Sequence, residues 1–260
     1  MLNGKCALVT GSVDGVGWAI AEALAEAGAN VILNGLCDPQ VGQARALELA
    51  KAHGVEAVFD PADLRRLDEI ERMVADAAQR FGSIDILVNN AVIRHFAPVE
   101  EFDAAAWDES IQVNLTAAFH LVRLALPGMK RKGWGRIINQ TSYYGSRGVA
   151  NRIDYVTTKT ALQGLTRGVA VEVARTGVTS NALCPGSVGT PAILGKIEGM
   201  AKAQGRTVDE LAQEYAAERN PMGRFVAPAS LGALAVFLCG PAGDDINGAV
   251  LPVDGGWLAV

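Results

Sequence analysis

The fold of this chain is indicated first by one glycine-rich stretch, Thr10-Gly11-Ser12-Val13-Asp14-Gly15-Val16-Gly17. A short apolar run precedes it, and a segment of helical period, beginning at Trp18, follows it. Glycines at a strand-to-helix turn let the backbone bend tightly and approach a pyrophosphate, whose charge is met by the N–H groups and dipole of the helix N-terminus. Three glycines in seven residues also suit an ordinary strand-to-helix turn, so the rest of the chain has to decide between the two.

Beyond this turn, aliphatic or β-branched runs alternate with longer segments of helical period. That alternation is typical of βαβ units and a parallel sheet. No Gly/Ser/Pro-rich linker divides the 260 residues, so we predict a single-domain α/β fold with a doubly wound parallel sheet of seven strands. The predicted strands are Ala7–Thr10, Val31–Asn34, Ala57–Asp60, Ile84–Asn89, Gly135–Asn139, Thr179–Cys184 and Ala249–Val253.

Start signals predict where several helices begin. Asp38 followed by Pro39, and Asp103 before a long apolar-periodic stretch, are typical N-terminal caps. Residues 187–225 are different, since glycines interrupt weak helical patterns before Thr207 and Glu210 offer a capping box. We predict an irregular segment there that serves as a lid over a site, because long irregular segments in compact domains are often functional.

Composition narrows the class of partner. Half of the residues are hydrophobic and 20% are charged, and 23 Lys and Arg face 28 Asp and Glu, for a net charge of −5. These values favour a packed core over disorder and give no general attraction for nucleic acid. Apolar runs are too short for a membrane span, and the N-terminus lacks a signal-peptide pattern, so we expect a cytoplasmic protein. The four cysteines lie far apart, which predicts neither disulfides nor a metal site.

The glycine-rich turn and the end of the second strand indicate which dinucleotide would bind. A 2′-phosphate requires Arg or Lys at one of these places, and neither has one. Asp14 would repel a phosphate dianion, so NAD is favoured over NADP. Asn34, however, lacks the carboxylate that often binds both ribose hydroxyls. Asp63 and Leu64, after the third strand, are predicted to lie near the adenine.

A second group of residues suggests acid–base chemistry. Tyr155 and Lys159 stand at i, i+4 on a predicted helix, where a fixed cation favours the phenolate form of the tyrosine. Ser142, at the end of a buried strand, is placed to hydrogen-bond a substrate oxygen. Ser142 could also be a turn serine, and Asn114 within a long helix could satisfy a local backbone group.

Taken together, these motifs resemble the short-chain dehydrogenase/reductase family over essentially the whole chain. The resemblance implies a Rossmann-like fold, usually a homotetramer, in which hydride passes between substrate and nicotinamide. It further implies that Tyr155 is the acid/base, that Lys159 lowers its pKa and holds the nicotinamide ribose, that Ser142 positions the carbonyl, and that Asn114 anchors a water. The implied cofactor residues are Gly11, Asp14, Gly15, Val16, Gly17, Leu36, Asp63, Leu64, Asn90, Ala91, Tyr155, Lys159, Pro185, Gly186, Val188 and Thr190.

Val92 is a departure from this pattern. The family usually has Gly after Asn-Asn-Ala, and a branched side chain there would lie where the backbone nears the cofactor. The substitution weakens the expectation that Asn90 and Ala91 contact the cofactor.

Further segments resemble bacterial D-3-hydroxybutyrate dehydrogenases, notably Val253-Asp254-Gly255-Gly256-Trp257 at the end of the chain. Where those enzymes usually hold a small carboxylate with Gln, His, Lys and Gln, this chain has Arg94, Tyr144, Arg152 and Lys196, and Ser187 replaces a lid tryptophan. With Ser142 and Trp257, these four positions form the predicted substrate site.

The exchange of amides for cations predicts a larger, more positive pocket for an anionic substrate, unless the charges are solvated or paired at an interface. We therefore expect an NAD-dependent dehydrogenase of a small hydroxy acid. An NADPH-dependent 3-oxoacyl thioester reductase and a non-catalytic cofactor-binding protein are the alternatives.

Overall fold

The computed structural model describes residues 1–260 and confirms the predicted parallel sheet. The strands are β1 (Cys6–Val9), β2 (Asn30–Asn34), β3 (Ala57–Asp60), β4 (Ile86–Asn89), β5 (Gly135–Gln140), β6 (Val178–Pro185) and β7 (Val250–Val253). All neighbouring strands are parallel, in the order β3-β2-β1-β4-β5-β6-β7. Each predicted strand is present. β4 begins later than predicted, at Ile86, and the preceding Asp85 carboxylate accepts the N–H of Cys6 and the ammonium of Lys132.

Helices cover both faces of the sheet. They are α1 (Gly15–Glu26), α2 (Pro39–His53), α3 (Leu67–Phe81), α4 (Ala104–Ile111), α5 (Ala117–Lys132), α6 (Ile153–Val173), α7 (Pro191–Gln204), α8 (Val208–Ala217) and α9 (Pro228–Cys239). The predicted caps are confirmed: Asp38 accepts the N–H of Gln40 at 2.8 Å, and Asp103 accepts that of Ala106 at 2.9 Å. None of the helices combines the length and apolar character that crossing a bilayer requires.

The core consists of two apolar layers, one on each side of the sheet. Helices α1, α2 and α9 pack on one face, and α3, α5 and the end of α6 pack on the other. Successive β1 residues alternate between the layers, with Ala7 and Val9 in one and Cys6 and Leu8 in the other. Burial on both faces explains why the strands are continuous apolar runs.

The strand order reverses direction between β1 and β4. In an open parallel sheet, such a reversal leaves a crevice outside the carboxyl ends of the strands, because the following helices lie on opposite faces. The glycine-rich turn between β1 and α1 lies at this crevice, as do the residues that follow β4 and β5.

The prediction of an irregular segment at 187–225 is wrong. Helix α7 continues through Gly195 and Gly199, and α8 begins at Thr207 with the predicted capping box. A glycine inside a helix costs only about 1 kcal/mol, and packing among Ile197, Ala201 and Leu211 of the two helices offsets it. The lid role itself stays a prediction.

Candidate active site

A cleft of about 330 Å³ opens at the crevice beside the glycine-rich turn. Most of the predicted cofactor residues form its walls. They are Gly11, Asp14, Gly15, Val16, Gly17, Leu36, Asn90, Ala91, Tyr155, Lys159, Pro185, Gly186, Val188 and Thr190.

The glycine-rich turn depends on glycine at specific positions. Gly11 and Gly15 have φ of +60° and +56°, a conformation that disfavours other residues. A Cβ at Gly17 would overlap the carbonyl oxygen of Gly11 and the side-chain amide of Asn90. The turn is therefore packed against the chain that follows β4, which leaves no room for larger residues.

Residues after β4 hold this turn in place. The Asn90 side-chain Nδ2 donates to the carbonyls of Thr10 and Gly11 at 2.9 and 2.8 Å. The Thr10 hydroxyl accepts the N–H groups of Asn90 and Ala91 at 2.9 and 3.0 Å. Asn90 thus acts on the turn itself, whatever further contact it makes with a cofactor.

The N-terminus of α1 is open toward the cleft. Asp14 occupies the N-cap position, but its exposed side chain makes no capping hydrogen bond. Free N–H groups of a first helical turn beside a glycine-lined wall suit a pyrophosphate. The turn therefore fits the dinucleotide that the sequence predicts.

A second cavity of about 210 Å³ adjoins the first and contains the predicted adenine-side residues, Asp63 and Leu64. The two cavities share Leu36 and Val92 among their walls. Asp63 is bound by the guanidinium of Arg65 at 2.6 Å, and that hydrogen bond holds the pKa of the carboxyl below its usual range. Val92, where the family usually has Gly, lies at the junction of the cavities.

Ser142, Tyr155 and Lys159 meet at one end of the cleft. Tyr155 and Lys159 lie one turn apart on α6, with the lysine Nζ 5.6 Å from the centroid of the tyrosine ring. Lys159 donates to the carbonyl of Gln140 at 2.6 Å. Ser142 follows β5 directly, and its hydroxyl accepts the N–H of Tyr144 at 3.2 Å. The structure thus brings together the three residues that the sequence selected for acid–base chemistry.

Lys159 is 2% exposed, which changes its charge behaviour. Burial, together with the positive charge of Arg94, lowers the pKa of its ammonium from 10.5 to about 7. A lysine in this position is close to losing its proton at neutral pH, so a small change in its surroundings alters its charge.

Asn114 lies in a π-helical turn, Gln112–Thr116, that joins α4 to α5. Its side chain is committed to the loop after β4: Oδ1 accepts the N–H of Ile93 at 2.9 Å, and Nδ2 donates to the carbonyl of Ile93 at 3.1 Å. Asn114 therefore satisfies backbone groups of a distant segment. The water-anchoring role implied by the resemblance stays a prediction.

Three predicted substrate residues surround the Tyr155 ring. The guanidinium carbons of Arg94 and Arg152 lie 5.5 and 4.7 Å from its centroid, and the Tyr144 ring meets it edge-on at 6.4 Å. Arg94 also lines the cleft. The two arginines therefore converge on the same aromatic side chain, which their sequence separation could not show.

The other two predicted substrate residues lie farther out. Lys196 is exposed on α7, with its Nζ 6.0 Å from the Tyr215 ring. The ring centroid of Trp257 lies 6.3 Å from that of Tyr143. Neither Lys196 nor Trp257 lines the cleft. Their roles stay predictions.

Sequence reasoning missed several residues of the site. Gln140 and Thr141 line the cleft just before Ser142, and their position at the end of β5 was a usable signal. Asp154, beside Tyr155, is fully buried and accepts the Ser110 hydroxyl at 2.8 Å and the His95 N–H at 3.2 Å. No spacing rule indicates that contact, because its partners come from distant segments.

Comparison with known proteins agrees with the fold and with the geometry of the cleft. The family model described as enoyl-(acyl carrier protein) reductase matches residues 11–258. D-β-hydroxybutyrate dehydrogenase of Cupriavidus necator is 48% identical over 260 residues, with all of both chains covered. The enzyme of the same name from Rhizobium meliloti is 41% identical, with 98% of this chain and 99% of that protein covered.

A solved structure extends the likeness to three dimensions. L-Sorbose reductase from Gluconobacter frateurii, complexed with NADPH and L-sorbose, superposes with a TM-score of 0.95 at 30% identity, covering 100% of this chain and 98% of that one. With the glycine-rich turn, the Ser142–Tyr155–Lys159 cluster and these relatives in agreement, the chain belongs to the short-chain dehydrogenase/reductase family of oxidoreductases.

Proposed function

We propose that this protein is an NAD-dependent dehydrogenase that interconverts a small 3-hydroxy acid and the corresponding 3-oxo acid. The observation that carries the proposal is that Ser142, Tyr155 and Lys159 meet in the glycine-lined cleft with the Arg94 guanidinium beside them. A guanidinium binds a carboxylate with paired hydrogen bonds. Two relatives over nearly the full chain are named as dehydrogenases of β-hydroxybutyrate, which is such an acid.

The proposed mechanism assigns a proton to Tyr155. Its phenolate oxygen accepts the proton of the substrate alcohol during oxidation, and its hydroxyl returns that proton during reduction. The Lys159 ammonium stabilises the phenolate form of Tyr155. The Ser142 hydroxyl, oriented by the N–H of Tyr144, donates a hydrogen bond to the substrate oxygen. Tyr155 is only 7% exposed, so bulk water is kept from the reacting oxygen. When bound, the nicotinamide supplies the acceptor or donor of hydride.

The walls of the two cavities suggest how the cofactor would be held. The first turn of α1 would meet the pyrophosphate, and Lys159 the nicotinamide ribose. Leu36, Asp63 and Leu64 would lie along the adenosine. The remaining predicted contacts come from the ends of β4 and β6 and the start of α7, namely Asn90, Ala91, Pro185, Gly186, Val188 and Thr190.

The charges near the turn favour NAD over NADP. Asp14 is exposed on the cleft wall, and Leu36 follows β2 where a phosphate-binding cation would be needed. Arg45 is a cation beside the turn, but it stacks on Trp18 at 3.6 Å and pairs with Glu48 at 2.7 Å. Because Arg45 is paired with Glu48, Asp14 is the charge that a phosphate beside the turn would meet.

The alternatives receive less support. An NADPH-dependent 3-oxoacyl thioester reductase would place a 2′-phosphate near Asp14. A protein that bound the cofactor without catalysis would have no need of Ser142, Tyr155 and Lys159 in one cleft, and its relatives are named as dehydrogenases.

We also propose that residues 187–225 form a lid on the single domain. A bridge pairs Val188 with Val226, and the N–H of Val226 donates to the carbonyl of Ser187. Between these ends, α7 and α8 pack on a small apolar cluster of their own. A unit with its own core and neighbouring ends is suited to move as one body.

For the assembly and location we propose a cytoplasmic homotetramer. Phe119 on α5, Val171 on α6 and Phe237 on α9 are large apolar side chains exposed on the single chain, as contact surfaces between subunits would be. All four cysteines are unpaired, which suits a reducing compartment. The molar mass measured by light scattering would be four times 27.2 kDa for the tetramer.

NADH formation at 340 nm tests the proposed function. The panel contains 3-hydroxybutyrate, other hydroxy acids and neutral secondary alcohols, each with NAD and with NADP. We expect turnover of 3-hydroxy acids with NAD, little with neutral alcohols, and at least a tenfold preference for NAD. Asp14→Arg should reduce that preference. Turnover of neutral alcohols alone, or a preference for NADP, would contradict the proposal.

A further inference from the structure

Two arginines beside Tyr155 lack the acidic partners that nine other arginines of this chain have. Arg45, Arg65, Arg72 and others pair with carboxylates at 3.2 Å or less. By contrast, no Asp or Glu oxygen lies within 4.0 Å of the guanidinium nitrogens of Arg94 or Arg152. Their positive charges are therefore available to a ligand.

Arg152 is held in aromatic surroundings and has no ion-pair partner. Its guanidinium carbon lies 4.2 Å from the Phe96 ring centroid and 4.7 Å from that of Tyr155. Its Nε is buried and has no hydrogen-bond partner. Burial lowers the pKa of Arg152, and the positive charge of Arg94 lowers it further. A half-buried cation with an unsatisfied donor is costly, and an anion that reached it would remove that cost.

Arg94 is fixed by contacts on both sides in the chain. Asn114 binds the N–H and carbonyl of Ile93, and the buried Asp154 carboxylate accepts the N–H of His95. The Asp154 oxygen that makes this bond also accepts the Ser110 hydroxyl. Backbone restrained on each side of a binding residue reduces the ordering cost when a ligand binds.

Two guanidinium groups beside Tyr155, those of Arg94 and Arg152, have no carboxylate in contact with them. Arg94, Arg152 and Lys159 all lie within 6 Å of its ring centroid. The tyrosinate that serves as the base in oxidation compensates the charge of Lys159 before it takes up the substrate proton. The Asp154 carboxylate raises the pKa of Arg152 but forms no ion pair with it, and one of its oxygens accepts hydrogen bonds from Ser110 and His95. A monocarboxylate would engage one guanidinium and leave the other without an anion.

We propose that the preferred substrate is a short hydroxy dicarboxylic acid, with one carboxylate bound by Arg94 and the other by Arg152 and with the secondary alcohol between them at Tyr155. This inference rests on the proposed function. The reaction is unchanged: the alcohol carbon loses a hydride to NAD, the alcohol oxygen loses a proton to Tyr155, and a ketone forms.

Three matched substrates test the inference: 3-hydroxybutyrate, 3-hydroxyglutarate and the monomethyl ester of 3-hydroxyglutarate. The ester has about the size of the diacid but only one negative charge. We expect kcat/KM for the diacid to exceed the values for both monoacids by about tenfold or more, as a charge-assisted pair contributes. Glutarate, which cannot be oxidised, should inhibit competitively at correspondingly lower concentration than butyrate does.

Substitution of each arginine tests whether the preference for the diacid depends on it. Arg94→Gln and Arg152→Gln should each bring the diacid-to-monoacid ratio close to one while NAD affinity, measured by fluorescence titration, stays within about twofold. Arg175→Gln is the matched control, because Arg175 is an exposed arginine just beyond the far end of α6. It should retain the wild-type ratio.

The outcomes separate the two proposals. A wild-type enzyme that oxidises 3-hydroxybutyrate as well as or better than the diacid overturns this inference and leaves the proposed function standing. A protein that oxidises none of the hydroxy acids overturns the proposed function as well. The inhibition constants of glutarate and butyrate are measured on the wild-type enzyme, so this test does not depend on whether the variants fold.

Discussion

At the scale of single residues, Lys159 has the most unusual surroundings. Its ammonium is buried, donates to the carbonyl of Gln140 and lies near the guanidinium of Arg94. The spacing of Tyr155 and Lys159 predicted a pair on one face of a helix. It could not predict the burial, because burial depends on β5 and on the loop that carries Arg94.

The lowered pKa of Lys159 makes folding stability depend on pH. In the unfolded chain the lysine keeps its proton up to about 10.5, whereas in the folded protein it loses it near 7. The unfolded state thus binds more protons between these values, so the contribution of Lys159 to stability rises with pH across this window. Below pH 7 the full cost of the buried ammonium is present.

Lys159→Met tests this linkage. The gain of the variant over the wild type in free energy of unfolding should be greatest at pH 6 to 7. That gain should fall by up to about 1.4 kcal/mol per pH unit as pH rises toward 10. Urea unfolding without cofactor, at one fixed protein concentration, measures it. A difference between the two proteins that does not change with pH would show that Lys159 keeps its proton in the folded protein as it does in the unfolded chain, because its ammonium is solvated.

At the scale of elements, the shape of the glycine-rich turn depends both on its local sequence and on a contact with a distant segment. The spacing alone predicted a tight turn between β1 and α1. The packing of Gly17 against Gly11 and Asn90 belongs to the folded molecule, because Asn90 follows β4. The turn can keep its shape only if its glycines and the residues after β4 pack together.

Gly17→Ala should therefore destabilise the protein by about 1–3 kcal/mol and sharply weaken NAD binding, since the added methyl group must displace the turn. Gly164→Ala is the matched control, because Gly164 lies on α6 with open space around it. That change should stabilise the helix by about 0.5–1 kcal/mol and leave NAD binding unchanged. Thermal unfolding and NAD titration measure both effects, and equal behaviour of the two variants would contradict the assignment of the turn.

The elements also show where prediction from sequence stops. Strands and caps follow from local patterns, and Asp38, Asp103 and Thr207 cap the helices as predicted. Helix α7 was missed because contacts with α8 outweigh the low helix propensity of Gly195 and Gly199. Such contacts are not visible in a window of local sequence.

At the scale of the whole molecule, the strand order assembles the site. Placing β1 beside β4 brings the glycine-rich turn to Asn90, and placing β4 beside β5 brings the loop that carries Arg94 to Ser142 and Tyr155. The order of the motifs predicted this sheet. The convergence of Arg94 and Arg152 on one ring was not predictable, because it depends on the backbone that Asn114 and Asp154 hold on either side of Arg94 and on the contact of Arg152 with Phe96.

The proposed function requires that hydride passes directly from the substrate carbon to NAD in the cleft at Tyr155. The most direct measurement uses 3-hydroxybutyrate deuterated at C3 and determines where the label goes by mass spectrometry of the nicotinamide product. We predict that each reduced cofactor carries one deuterium and that Tyr155→Phe binds NAD but forms almost no labelled product. Unlabelled NADH, or full activity of Tyr155→Phe, would contradict the account.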